Sequence, residues 1–271
     1  MRCFTTELKE HFPALADMPR GILKCYIPED NPELVPQTLR PSILIFPGGA
    51  YKYTSEREAE PIALSYLGKG FNAFVLYYAV EPAKYPCALV QAMASVELIR
   101  NKGKEWLCNG QVCVMGFSAG GHLAACASNP DESLAAKYGF GDVRPNAAVL
   151  AYPVISSSPE HTHGGSFEAL CNNKEEWETL SAEKLVSDKT PPTFLWMTSA
   201  DPLVPVTNCF VYATELYRHG VKFEMHIFPN GCHGLACCNV TTAGVHDFFY
   251  SQYCERWIDM SFKWFKEIKM I

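Results

Sequence analysis

Three side chains, far apart in the sequence but in a telling order, could together perform nucleophilic catalysis: Ser118, Asp201 and His233. Ser118 lies in Gly116-Phe117-Ser118-Ala119-Gly120, directly after the apolar run Val112-Cys113-Val114-Met115. A serine at the handover from a strand to a helix sits on a tight, strained turn that needs small neighbours, and the turn holds its hydroxyl in the open. The pentapeptide alone is weak evidence, since chance supplies ~0.09 matches in a chain of this length. A hydroxyl also needs a base, and the base needs an acid to orient it. Asp201 follows the apolar stretch ending at Thr198, in Ser199-Ala200-Asp201-Pro202-Leu203-Val204-Pro205. His233 follows the stretch ending at Phe228, between Gly231 and Gly234. His233 would take the Ser118 proton and return it to a leaving alcohol, while Asp201 holds the imidazole tautomer.

The developing negative charge of such a reaction needs backbone donors. Phe46-Pro47-Gly48-Gly49-Ala50-Tyr51 follows a short apolar strand and is rich in small residues. The N–H groups of Gly49, Ala50 and Ala119 are the expected oxyanion hole. Tyr51, next to this loop, is the expected substrate contact. Asp188 is the fallback acid, but it precedes the strand beginning at Thr193 and so lies at the wrong end.

These residues require a scaffold that brings strand ends together. Buried strands are expected at 42–46, 71–77, 111–115, 147–152, 193–198 and 222–228. Helices are expected at 57–68, from Pro86 to Gly103, at 119–128 and at 206–218, with one long helix over 245–269. Alternation of this kind implies an α/β fold with a mainly parallel sheet, helices on both faces, and ligands at the carboxyl ends of the strands. Residues 155–190 interrupt the alternation and read as a small inserted lid within a single domain spanning 1–271.

Composition narrows the function classes. Of 271 residues, 48% are hydrophobic and 19% charged, with a net charge of −6, which suits a globular domain and argues against a nucleic-acid partner. No apolar run approaches the length of a membrane span, and the N-terminus is too polar for a signal peptide, so a cytoplasmic protein is expected. The twelve cysteines include no Cys-x-x-Cys pair. Cys232, Cys237 and Cys238 match no common structural metal spacing, so neither a metal nor an organic cofactor is expected. His122, on the helix after Ser118, reads as a structural residue; His161 and His163, in the 155–190 segment, read as exposed.

Pro-Gly-Gly-Ala-Tyr, Gly-Phe-Ser-Ala-Gly-Gly-His-Leu-Ala, Thr-Pro-Pro-Thr-Phe-Leu-Trp, Asp-Pro-Leu-Val-Pro and His-Gly occur in this order. Together they resemble the small α/β-hydrolases of the acetyl esterase and acetylxylan esterase type, close to the hormone-sensitive-lipase-like group, over about residues 20–269. The resemblance implies a carboxylester hydrolase, often acting on acetylated sugars, with Ser118, Asp201 and His233 as the triad and a small-molecule ester as partner. Two positions depart from the pattern: Pro47 stands where many relatives carry histidine, and Gln91 stands where an acidic residue is expected. A small peptidase of the prolyl-oligopeptidase type shares the same triad and is the alternative reading; a catalytically silent binding protein on this fold is another. A homo-oligomer is compatible with an exposed lid or edge strand.

Overall fold

The computed structural model describes residues 1–29, 33 and 39–271. Eight strands are described: β1 (Arg2–Glu7), β2 (Ile22–Ile27), β3 (Arg40–Phe46), β4 (Asn72–Tyr77), β5 (Cys108–Phe117), β6 (Ala147–Ala151), β7 (Thr193–Thr198) and β8 (Phe223–Phe228). They form one sheet in the order β1-β2-β4-β3-β5-β6-β7-β8. The pairs from β4 through β8 are parallel, whereas β1–β2 and β2–β4 are antiparallel. The central strands are continuous apolar runs because helices cover both faces: every residue of β6 and β7 is buried.

The helices are α1 (Glu60–Leu67), α2 (Cys87–Lys102), α3 (Ala119–Ser128), α4 (Glu132–Lys137), α5 (Gly164–Leu170), α6 (Glu175–Thr179), α7 (Thr207–Arg218), α8 (Val240–Ala243), α9 (Gln252–Glu255) and α10 (Trp257–Glu267). Pro86 precedes the first turn of α2, where its missing N–H is harmless, and Gly103 ends the helix. Helix α3 is buried along its whole length, which its run of Ala and Gly permits. A Cβ on Gly120 would lie 2.0 Å from the Phe46 carbonyl oxygen, and one on Gly116 would lie 2.0 Å from that of Gly120. Glycine at both positions therefore lets β3, β5 and α3 meet directly beneath Ser118.

Two expectations change. The edge pair β1–β2 lies upstream of the first expected strand; β2 carries Lys24 within Ile-Leu-Lys-Cys-Tyr-Ile, and that charge interrupts the apolar pattern. Lys24 reaches Glu60 at 2.7 Å instead of facing the core. The expected helix over 245–269 is broken into a single turn at Asp247–Phe249, then α9 and α10. Gly244 takes φ +60, and the Ser251 hydroxyl accepts the Cys254 N–H, so a new helix starts there. Gln91 has a structural role: its Oε1 accepts the Ala79 N–H at 2.6 Å and its Nε2 donates to the Pro19 carbonyl at 2.8 Å. An acidic side chain could not make the second bond. Among the described residues no helix is long and apolar enough to cross a membrane.

Candidate active site

Four strands end on the same side of the sheet and hand over to the loops that carry the site: β3 to residues 47–51, β5 to Ser118, β7 to Asp201 and β8 to His233. Ser118 occupies the strained turn its neighbours suggest, at φ +54 and ψ −119, and is 7% exposed. Its hydroxyl lies 2.7 Å from His233 Nε2, and His233 Nδ1 lies 2.6 Å from Asp201 Oδ2. With neutral imidazole, Nδ1–H donates to the carboxylate and the serine O–H donates to Nε2, the arrangement a general base requires. Asp201 is itself held, because its Oδ1 accepts the N–H groups of Leu203 at 2.9 Å and Val204 at 3.0 Å. Its side chain is 1% exposed.

The loop carrying His233 is fixed from several sides. Gly231 takes φ +140, and a Cβ there would lie 2.8 Å from both Leu235 Cδ1 and Thr198 Cγ2. Thr198 Oγ1 donates to the Gly231 carbonyl at 2.7 Å. The Tyr152 ring meets the His233 ring edge-on, with centroids 5.1 Å apart. These contacts limit the imidazole to one orientation, so the Ser118 bond does not depend on a mobile side chain.

On the other side of Ser118, residues 49–51 share positive φ: Gly49 +127, Ala50 +55 and Tyr51 +59. A Cβ on Gly49 would lie 2.1 Å from the Tyr53 carbonyl oxygen, so only glycine fits. The loop is anchored by Tyr78, whose hydroxyl donates to the Pro47 carbonyl at 2.6 Å, and by the Glu81 N–H, which donates to the Tyr51 carbonyl at 2.7 Å. Among the described residues, no protein acceptor takes the N–H of Gly49, Ala50 or Ala119. Gly49, Ala50, Ser118, His163, His233 and Phe249 line one cleft of about 240 Å³.

Several side chains fall differently from expectation. Tyr51, expected to touch substrate, is 2% exposed and does not line this cleft. Its hydroxyl bonds to His122 Nδ1 at 2.8 Å, because the left-handed backbone at Tyr51 turns the ring inward. Its neighbour Tyr53, 61% exposed, stands at the rim instead. His163 is half-buried and lines the cleft, its Nδ1 2.9 Å from Ser166 Oγ; burial and the nearby His233 hold its pKa below the ordinary imidazole range. His161 is also half-buried, bonded to Thr207 Oγ1 at 2.8 Å. His122 is structural: Nε2 donates to the Leu180 carbonyl at 2.7 Å, which leaves Nδ1 to accept the Tyr51 O–H. Asp188 is exposed, away from the cleft.

Sequence reasoning missed Glu58. This carboxyl is 3% exposed and lines the same cleft as Ser118. Burial raises its pKa, opposed by hydrogen bonds from Tyr152 and Gly48. Only its place in Ser55-Glu56-Arg57-Glu58, shortly after the glycine loop, could have marked it. Among the described residues no group of three His, Cys, Asp or Glu is placed to hold a metal. The thiols of Cys232, Cys237 and Cys238 turn to different partners: the Phe248 carbonyl, Ser65 Oγ and the Ala236 carbonyl.

A serine on a strained strand-to-helix turn, an imidazole in contact with it and a buried carboxylate behind make a Ser-His-Asp triad suited to ester substrates. The prolyl oligopeptidase family matches residues 89–261, a stretch containing all three residues. The chain belongs to this family. It has the α/β-hydrolase fold with a Ser-His-Asp triad of the serine-hydrolase kind, and it resembles known carboxylesterases and acetylxylan esterases. It is 35% identical to an acetyl ester-xyloside bifunctional hydrolase from Caldicellulosiruptor lactoaceticus, whose crystal structure superposes with a TM-score of 0.83 over 100% of this chain and 98% of that one. It is 34% identical over 213 residues to endo-1,4-beta-xylanase B of Butyrivibrio fibrisolvens, covering 74% of this chain and 33% of the relative. It is 30% identical over 233 residues to an acetylxylan esterase of Xylanibacter ruminicola, covering 81% of this chain and 45% of the relative. The chain thus spans between a third and a half of these two curated relatives.

Proposed function

We propose that the chain hydrolyses short-chain carboxylic esters, with acetyl esters of sugars as the substrate class. The observation that carries this reading is the 2.7 Å contact between Ser118 Oγ and His233 Nε2 beside a cleft of only about 240 Å³. Pockets that enclose larger organic ligands run to about 300–1,000 Å³, so a small acyl group is favoured. Acetylated sugars are suggested by the relatives described as an acetylxylan esterase and an acetyl ester-xyloside hydrolase.

In this reading Ser118 attacks the ester carbonyl carbon as its proton passes to His233 Nε2. The carbonyl oxygen becomes an oxyanion that accepts hydrogen bonds from the N–H groups of Gly49, Ala50 and Ala119, which have no other acceptor among the described residues. His233 then protonates the leaving alcohol, and an acyl-enzyme remains on Ser118. Water activated by His233 attacks the acyl carbon, releases the acid and restores the serine. Asp201 keeps Nδ1 protonated throughout and balances the imidazolium charge. The 155–190 segment of this single domain acts as the lid, contributing His163 to the cleft wall. A cytoplasmic setting belongs to the same proposal and agrees with twelve free thiols.

A second reading is favoured by the family match itself: cleavage of a peptide by the same triad or, as the relative described as an acylamino-acid-releasing enzyme suggests, of an acylated amino acid. The two separate in one experiment. The chain is incubated with a fluorophosphonate and with p-nitrophenyl esters of two to twelve carbons, beside N-acetylalanine p-nitroanilide. Labelling together with fastest turnover of the acetate supports the esterase reading. No turnover of any ester defeats it, and a preference for the anilide moves the assignment to the peptidase.

A further inference from the structure

We infer that Glu58 is a positioning residue that fixes the oxyanion loop and the catalytic base relative to each other. Its two carboxyl oxygens point at different halves of the machinery. Oε2 accepts the Gly48 N–H at 2.7 Å, one residue before the expected oxyanion donors Gly49 and Ala50. Oε1 accepts the Tyr152 O–H at 2.7 Å. Tyr152 in turn presses its ring against His233, centroids 5.1 Å apart, and its oxygen accepts the Ala236 N–H at 2.9 Å from the segment that follows the base.

The fit leaves no slack. A Cβ on Gly48 would lie 2.7 Å from Glu58 Oε2 and 2.9 Å from Ser118 Cβ, so Gly48 is wedged between the carboxyl and the nucleophile's own turn. On the far side, a Cβ on Gly234 would come within 3.9 Å of Oε1. The preceding residue reinforces the bridge: Arg57 donates from Nη2 to the Gly234 carbonyl and from Nε at 2.8 Å to the Thr242 carbonyl. Its guanidinium lies 3.5 Å from the centre of the Phe249 ring. Two consecutive residues thus clasp the loop before the nucleophile and the loop after it.

A carboxyl taken from water is an expensive way to fill space, and an apolar side chain would fill it more stably. Its value here is geometric. Donors must lie within a few tenths of an ångström of the forming oxyanion, and displacement by 1 Å costs ~10²-fold in rate. A glutamine can keep both contacts but not both bonds: its carbonyl accepts the Gly48 N–H, and its amide donates to Tyr152 Oη in a reversed bond that leaves the Tyr152 O–H without its acceptor. Alanine can keep neither.

The test measures p-nitrophenyl acetate hydrolysis by the full chain and by Glu58→Ala, Glu58→Gln and Tyr152→Phe. Rates are divided by the sites that a fluorophosphonate labels to completion, so unfolded protein does not count. The expected result is a loss of ~10²-fold in kcat for Glu58→Ala with KM within about threefold, because the donors act mainly in the transition state. Glu58→Gln should recover kcat to within about tenfold of wild type, since hydrogen bonding and not charge sets the loop. A Glu58→Ala kcat within about threefold of wild type, a loss confined to KM, or a glutamine variant as slow as the alanine variant would each overturn the inference. If Glu58→Ala does not fold, Tyr152→Phe decides, since it removes the hydroxyl's two bonds, to Glu58 and from the Ala236 N–H, and keeps the ring: a fall of ~10-fold in kcat at constant KM upholds the bridge, and an unchanged kcat overturns it. The inference rests on the ester-hydrolase reading; an inactive wild type defeats that reading, whereas an active wild type with an unaffected Glu58→Ala defeats only this one.

Discussion

Asp201 offers one carboxylate oxygen to His233 and the other to its own loop: Oδ2 lies 2.6 Å from Nδ1, while Oδ1 accepts the N–H groups of Leu203 and Val204. Asp201→Asn therefore has a defined outcome. The asparagine carbonyl takes the place of Oδ1, because only an acceptor satisfies two N–H donors. Its amide NH₂ is then turned toward His233 Nδ1, which must accept, so the ring proton moves to Nε2. The imidazole can no longer take the Ser118 proton. A loss of ~10⁴-fold in kcat is expected with an unchanged melting profile. Esterase assays beside circular dichroism check this, and a loss below tenfold would show that another acid orients the base.

Ser118→Ala removes only the attacking oxygen. Turnover of p-nitrophenyl acetate is expected to fall at least ~10³-fold, and fluorophosphonate labelling to vanish. Stability should change little, because the hydroxyl's partner, His233, keeps its bond to Asp201. Equal activity in the variant would remove Ser118 as nucleophile.

His122 makes a pH prediction about stability. The ring is 1% exposed, and burial pushes its pKa down to about 4 from the ordinary 6.5. The unfolded chain therefore takes up this proton before the folded chain does. His122 adds no penalty above pH 6.5; below it, folding stability falls with pH until the folded-state value near 4 is reached. The full loss from this one ring is on the order of 3 kcal/mol. Urea titrations of wild type and His122→Gln at pH 7, 5.5 and 4.5 isolate it. The wild type should lose more stability across the series than the variant, and parallel losses would contradict the burial argument.

The glycines beneath the nucleophile give a packing prediction. In Gly120→Ala the new Cβ would meet the Phe46 and Pro47 carbonyl oxygens at 2.0 and 2.5 Å, and backbone cannot swing away as a side chain can. A destabilisation of about 3 kcal/mol or more is expected, with activity reduced because the loop of residues 47–51, the proposed oxyanion loop, is pushed aside. Gly68→Ala is the control. There φ is −65, and the nearest atom to a Cβ is the Leu64 carbonyl oxygen at 3.7 Å, so the change should be within about 1 kcal/mol of neutral or mildly stabilising. Thermal denaturation of the pair checks both; equal melting temperatures would contradict the predicted close contact.

The chemistry was legible where it is written in contiguous residues. Gly116 to Gly120, Ser199 to Pro205 and Gly231 to Gly234 each announce a turn at a strand end, and those turns rest on local backbone rules that a short segment carries within itself. The parallel sheet was legible for the same reason, since apolar runs of five to seven residues between helical stretches have few other uses. The limits appear where a residue's role depends on something distant. Lys24 hid β2 because its partner Glu60 is 36 residues away. The break near Gly244 is hidden in the sequence because the aromatic residues downstream suggest one apolar face, although Phe248 is 60% exposed and Trp257 is buried.

The sequence by itself thus determined the fold class, the order of nucleophile, acid and base, and the strand ends on which they stand. Only the tertiary structure decided which neighbours serve them. Tyr51 follows the glycine loop yet turns away to His122, and His163 comes from a distant segment to line the cleft. Glu58 joins Gly48, 10 positions before it, to Tyr152, 94 positions after it. The physical reason is the range of the interactions. Turn geometry is settled by adjacent φ and ψ values, whereas the direction of a buried polar side chain is settled by whichever donors and acceptors the whole fold brings within about 3 Å.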